Sequence, residues 1–217
     1  MTPPFSGWRE GLVFYGPVVA AGLALLLCLP WSPLGWAGAP VLLAGLAVMM
    51  FFRDFPRAVT AAENEVVSPA DGTVVAVEDL DEIPHYDGPC RRVSIFMSVF
   101  NAHVNRAPFD CAVRDVRYLP GKYRDARDPD SSKINESNAV WLETPRGPVT
   151  VRQISGAVAR RIVCPVKPGT PLKKGEKFGM IRFGSRVELY LPPGTEVLPA
   201  PGRKVRAGLT IMARFKQ

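Results

Sequence analysis

The chain of 217 residues has only two histidines, His85 and His103, and four cysteines, Cys28, Cys90, Cys111 and Cys164. The cysteines form no CxxC pair, and neither histidine stands at zinc-ligand spacing from them. A metal site and a disulfide framework are therefore not expected, and the thiols fit a reducing compartment. Charge is missing over residues 11–29 and again over 41–52, and the PWSPLGWAGAP segment between them has no Lys or Arg. From Glu65 onward no long helical period occurs. Basic residues interleaved with exposed aromatics are also lacking, so a nucleic-acid partner is not expected. The net charge of +7 favours an anionic partner of another kind, such as an anionic lipid.

The first uncharged run has membrane-spanning length, and the second reaches it only if residues 35–40 are counted with it. Pro30, Pro33 and Pro40 are expected to break the helices and mark the connection. Trp8, Trp31 and Trp36 suit a membrane interface. A secretory signal is excluded, because the run is too long and a second apolar run follows at once. Arg9, Arg53 and Arg57 flank the outer ends, so both ends are expected in the cytoplasm, with the hairpin spanning or re-entering the bilayer. The chain thus divides into residues 1–54, a membrane anchor of two apolar helices, and residues 55–217.

The second part alternates short apolar runs with Gly, Pro and Asp clusters: VVSPADGTVVAVEDL, RRVSIFMSVFNAHVNRAP, CAVRDVRYLPG and NAVWLETPRGPVTVRQISG. Its closing segment repeats a strand–turn–strand scheme through PGT, KKGE, PPGT and RAG. The expected fold is mostly β, a barrel-like sandwich of short strands of the hybrid-motif type. A lipoyl or biotinyl carrier is excluded, since its exposed modifiable lysine has no counterpart here. Residues 124–138, RDARDPDSSKINESN, have no apolar face and are expected to form a mobile loop, either a solvated connection or a lid.

The chemistry centres on KFGMIRFGSRVELYLPP, where Gly184-Ser185 interrupts an alternating strand pattern. One reading is a β-bulge with an idle serine. The other is a self-cleavage site, in which the serine Oγ attacks the preceding carbonyl and turns the amide into an ester. β-Elimination then leaves a dehydroalanine that hydrolyses to a pyruvoyl group, a ketone able to capture an amine and act as an electron sink. His85, in EIPHYDG, is expected at the surface. His103 closes an apolar strand, as a structural residue or as the natural candidate for a general base. Asp71, in SPADGTV, is either ordinary turn chemistry or a carboxylate that orients a histidine ring.

These stretches together resemble the phosphatidylserine decarboxylase family in its short prokaryotic form. SPADGTVV, IFMSVFNAHVNRAP, KINESNAV, QISGAVARRIVC, PGTPLKKGEKFGMIRFGSRVELYLP and the doubly apolar amino terminus carry the resemblance, in order over most of the chain. It implies a proenzyme cut between Gly184 and Ser185 into a β chain, 1–184, and an α chain, 185–217, with a covalent pyruvoyl cofactor made from Ser185. It implies that phosphatidylserine, an anionic phospholipid, is decarboxylated through a Schiff base to phosphatidylethanolamine at the cytoplasmic side of the cell membrane, without a metal. Ser185, His103 and Asp71 would be catalytic, and Asn105 and Arg106 would bind substrate. Long forms of the family carry a histidine where this chain has Arg106 and a threonine where it has Arg186. A homo-oligomer is left open. The rival readings are a membrane-anchored β module that binds an anionic lipid or protein, and a decarboxylase for another amine.

Overall fold

The computed structural model of the protein describes residues 5–128, 130–157, 161–182 and 185–215. The chain divides into two compact units, residues 6–55 and the part from residue 56 onward.

The first unit is helical. Its uncharged runs form α1 (Gly7–Cys28) and α3 (Gly38–Phe51), joined through the single turn α2 (Pro33–Trp36). α1 and α3 pack closely because glycines lie between them. A Cβ on Gly22 would meet the Leu42 backbone nitrogen at 2.6 Å, and one on Gly45 would meet the Val19 side chain at 2.7 Å. Small residues at such positions let two apolar helices approach closely. Gly7–Cys28 and Pro33–Phe51 are each long and apolar enough to cross a membrane. Pro40, expected to break the second helix, instead lies in the first turn of α3. A missing N–H costs no helical hydrogen bond there.

The second unit is mostly strand. In chain order it holds β1 (Glu65–Val67), β2 (Gly72–Leu80), β3 (Cys90–Met97), β4 (Val104–Arg106) and β5 (Cys111–Leu119). Next come a helical turn, α4 (Ser131–Ile134), β6 (Ser137–Thr144), β7 (Gly147–Ser155), β8 (Ile162–Val163) and β9 (Pro171–Leu172). β10 (Lys177–Ile181), β11 (Ser185–Leu191), β12 (Glu196–Val197), β13 (Lys204–Val205) and β14 (Ile211–Arg214) complete it. The turns read from the sequence separate these strands. Gly175 in KKGE and Gly208 in RAG have φ of +79° and +71°, a region that favours glycine.

Eight strands form one sheet, ordered β13–β2–β3–β11–β7–β6–β5–β9, which curls into a half-barrel. The three-stranded sheets β1–β14–β12 and β4–β10–β8 supply Val66, Met212, Phe178 and Ile181 to the same core as Ile95, Val151, Val187 and Leu189 of the large sheet. The expected barrel-like sandwich is what these residues build.

One local expectation is corrected. The KFGMIRFGSRVELYLPP stretch is not a single strand with a bulge. β10 belongs to the small β4–β10–β8 sheet and β11 to the middle of the large one. The chain changes sheets between Arg182 and Ser185, so the apolar alternation on either side belongs to two different ladders.

Candidate active site

Ser185 opens β11, with Met97 of β3 opposite it on one side and Ser155 of β7 on the other. A central strand shielded by neighbours on both edges is the driest place in the sheet, and Ser185 is fully buried. Its Oγ donates to Met97 Sδ at 3.3 Å. A thioether is a weak acceptor, so the hydroxyl gives up little if it rotates toward the backbone upstream. Gly184, the other half of the expected cleavage site, lies outside the described residues.

His103 is also fully buried, just ahead of β4. Its carbonyl accepts from Ile181 N, which holds it against β10, four residues before Ser185. Its Nδ1 lies 2.9 Å from Asn101 O. A carbonyl can only accept, so Nδ1 carries the proton, and the neutral form of the ring has its lone pair on Nε2.

Asp71 is engaged elsewhere. Its carboxylate takes both arms of Arg57, at 2.5 and 2.9 Å, and accepts from Ala207 N at 2.7 Å. Asp71 stands immediately ahead of β2, whose outer neighbour β13 brings Ala207 alongside. β2 is two strand spacings from β11, or about 10 Å. Among the described residues no hydrogen bond joins Ser185, His103 and Asp71 to one another. The carboxylate–histidine bond considered from the sequence is therefore not formed, because an arginine holds the carboxylate.

Asn105 faces the core side of the large sheet. Its Oδ1 accepts from Gln153 Nε2 at 2.8 Å, and Gln153 Oε1 accepts from Asn138 Nδ2 at 3.1 Å. Asn105 Nδ2 is buried without a partner among the described residues, which leaves a donor available beside this chain of amides. Gln153 sits opposite Val187, two positions along from the Ser155–Ser185 pair, so the amides share a face with Ser185. Arg106 is 4% exposed, and its Nη1 donates to Gly175 O. The described cysteines are free, and burial pushes the Cys164 thiol up to about 11 and Cys111 up to about 12. Gln153 and Asn138 were legible only as polar residues inside otherwise apolar strands.

The opposite face of β11 carries Arg186, Glu188 and Tyr190. Glu188 is fully buried. It accepts from Ser132 Oγ at 2.8 Å and Tyr190 OH at 2.5 Å, and pairs with Arg152 at 3.3 Å. Burial, then the neighbouring Glu188 charge, pushes the Tyr190 phenol up. Arg186 donates to Ala126 O from Nε at 3.1 Å and Nη2 at 2.8 Å, and to Ser132 Oγ from Nη1 at 3.1 Å. Burial lowers its pKa, against the pull of Glu188.

These bonds correct the expectation of a mobile loop over residues 124–138. Its described residues are tied to the sheet by Arg186, by Ser132–Glu188 and by Asn135, whose Nδ2 donates to Arg124 O and Ser155 O at 2.8 Å each. An apolar-residue criterion misses such a segment, because its anchors are polar. Beside it, Phe96, Ser98, Val99, Ala126 and Gly156 line an open cavity of about 370 Å3 at the Ser185 end of the strands. His85 is likewise corrected, since it is 8% exposed, with its ring 6.2 Å from that of Tyr190. Burial first, then Arg152, lowers its pKa to about 4.

The profile of the family described as phosphatidylserine decarboxylase matches residues 45–213. The chain is similar to the phosphatidylserine decarboxylase proenzyme of Nitrosomonas eutropha, with 44% identity over 209 residues, 96% of this chain and 94% of that protein. It is 46% identical over 208 residues to the proenzyme of the same name from Nitrosomonas europaea, covering 95% of this chain and 94% of the relative. With that of Cereibacter sphaeroides it shares 46% identity over 209 residues, covering 94% and 88%. On the profile match and on these long, similar relatives, the chain belongs to the phosphatidylserine decarboxylase family.

Proposed function

We propose that this protein converts phosphatidylserine to phosphatidylethanolamine after cutting itself between Gly184 and Ser185. The observation that carries the reading is Ser185 itself. It is a dry serine with only a weak hydrogen-bond acceptor, at the first position of a central strand and at the point where the chain changes sheets.

In this reading Ser185 Oγ attacks the upstream carbonyl, and His103 Nε2 is the base that accepts the hydroxyl proton. The hydrogen bond from Nδ1 to Asn101 O keeps the lone pair on that nitrogen and stabilises the ring once it is charged. Asp71 assists from a distance, by clamping Arg57 and Ala207 and so fixing the start of β2, between β13 and β3. After β-elimination of the ester and hydrolysis of the dehydroalanine, the products are ammonia, a β chain of residues 1–184 and an α chain of residues 185–217 that begins with a pyruvoyl group.

Position 185 suits such a group, because a buried strand start beside Met97 excludes the water that would hydrate a ketone. There it would supply a carbonyl that captures the substrate amine and withdraws electrons as carbon dioxide leaves. The chain's own residues do the rest. Asn105 Nδ2 offers a hydrogen bond to the substrate's polar head. Arg106, on the same segment, adds positive charge. His103 returns a proton to the substrate α-carbon. The cavity lined by Phe96, Val99 and Gly156 admits the head group. The two apolar helices anchor the protein in the cell membrane with the β unit on the cytoplasmic side, confining it beside a substrate that stays in the bilayer.

A denaturing gel and mass spectrometry test the proposal. Wild type should run as two pieces, the smaller one residues 185–217 with a blocked terminus that borohydride reduces. Ser185→Ala should remain one inactive chain. Normal splitting of that variant, or an active protein that is a single uncut chain, overturns the reading.

A further inference from the structure

The strand ends that hold Ser185 also carry a second feature. Register places Phe96, Arg186, Ile154, Ser137 and Leu119 in one row across β3, β11, β7, β6 and β5. The chain beyond that row forms the rim of the 370 Å3 cavity. Phe100, in the turn after β3, is 85% exposed, and at the far end of the row Leu119 is 47% and Tyr123 42% exposed. Four strand spacings separate the two ends of the row, about 19 Å. Large apolar side chains held this far out of a well-buried β unit are not core residues that failed to pack. They are raised at both ends of one edge.

Among the described residues, the rim charges left without an opposite partner are mostly cations. Lys122 and Arg124 are exposed there, and neither forms a salt bridge among the described residues. The carboxylates of the same segment are neutralised locally, Asp125 by Arg127 at 2.6 Å and Asp130 by Lys133 at 2.9 Å. Asp128 accepts a backbone bond from Asp130 N and has no cation partner among the described residues. Aromatic and aliphatic tips interspersed with cations match the interface of an anionic bilayer, where rings sit at head-group depth and cations meet lipid phosphates.

We propose that this rim, with Phe100 and Leu119 at its ends and Lys122 and Arg124 beside Leu119 and Tyr123, docks directly on an anionic phospholipid bilayer. Docking sets the cavity mouth against the lipid head groups, a role additional to any anchoring by the helices. The proposal deepens the decarboxylase reading and rests on it for the choice of substrate.

The full chain, reconstituted in vesicles, tests it with two substrates, phosphatidylserine in the bilayer and a short-chain, water-soluble phosphatidylserine. Phe100→Ser should still split on a gel and should act on the short-chain lipid within about twofold of wild type. On the bilayer lipid it should lose about tenfold, the factor expected when one buried aromatic no longer partitions. Phe100→Leu should recover most of that loss. Arg124→Glu should lower bilayer turnover by about fivefold or more, and added salt should shrink the difference. An unchanged ratio between the two substrates, or an equal fall on both, overturns docking while leaving the decarboxylase reading intact. A change of oligomeric state in Phe100→Ser with an unchanged ratio would assign the patch to a second copy and also overturn it. Hydrogen exchange decides the matter even for a protein without turnover. Residues 98–101 and 119–124 should exchange more slowly in discs containing phosphatidylglycerol than in phosphatidylcholine discs, and equal rates refute the proposal.

Discussion

Arg186 is the residue whose replacement reports most directly on how the site is held. Its guanidinium spends its donors on the segment over the sheet: two on Ala126 O, one on Ser132 Oγ, with Asp128 O at 3.4 Å. Hydrogen bonds from a charged donor contribute about 1.5–3 kcal/mol each, but the carbonyls released can turn to water, so the sum is smaller than three such terms. We expect Arg186→Gln to weaken the tie by about 2–4 kcal/mol, a shift of about 30- to 700-fold in the population of the detached segment. Limited trypsin digestion reads this directly, because Arg124, Arg127 and Lys133 lie in the segment and opening is expected to be fast relative to cutting. Nicking after those residues should accelerate by that factor, while global melting changes far less. Arg186→Lys should fall between the two, since one ammonium cannot span Ala126 O and Ser132 Oγ together. Ser185 faces the other side of β11, so self-cleavage should survive while bilayer decarboxylation drops, because Ala126 lines the cavity. Unchanged nicking in Arg186→Gln would refute the idea that this side chain is the latch.

Three further outcomes follow from the same geometry. His103→Ala should split at least tenfold more slowly than wild type on a denaturing gel, the loss typical of a missing general base, and full-rate splitting with full activity would make His103 structural. Glu188→Leu should cost about 3–5 kcal/mol by leaving Arg152 buried without its counter-charge, a fall of roughly 6–20 °C in Tm, and adding Arg152→Met should recover part of it. His85 has a folded-state pKa of about 4, below its ordinary 6.5, so the unfolded chain binds the proton first. Its contribution to stability is complete above pH 6.5 and is lost as the pH falls toward about 4. A Tm series across that window should be flatter for His85→Phe than for wild type, and identical slopes would contradict the burial argument.

The architecture was legible because its signals are local. Charge-free length in residues 11–29, turn glycines such as Gly175 and Gly208, and period-two alternation in segments such as Val187–Leu191 depend on neighbours within a few positions. Gly184-Ser185 and His103 could be singled out for the same reason, as residue types with distinctive chemistry in an apolar setting. Partners brought in from distant strands were not legible. No local pattern couples Asp71 to Arg57 and Ala207, or ties Arg186 to Ala126 across some sixty positions. His85 read as a surface turn residue, since nothing near it in the chain announces the face of β11 that covers it.

The sequence by itself determined that an apolar helical pair precedes a β unit, and that a Gly-Ser pair interrupts an alternating apolar pattern. Tertiary structure alone decided that β10 and β11 lie in different sheets, that Ser185 rests against a thioether, and that the polar segment before β6 is clasped by Arg186. The division has a physical cause. Period and turn chemistry act between residues a few positions apart, whereas burial, charge pairing and hydrogen bonding are properties of whatever the fold happens to bring within 3–4 Å.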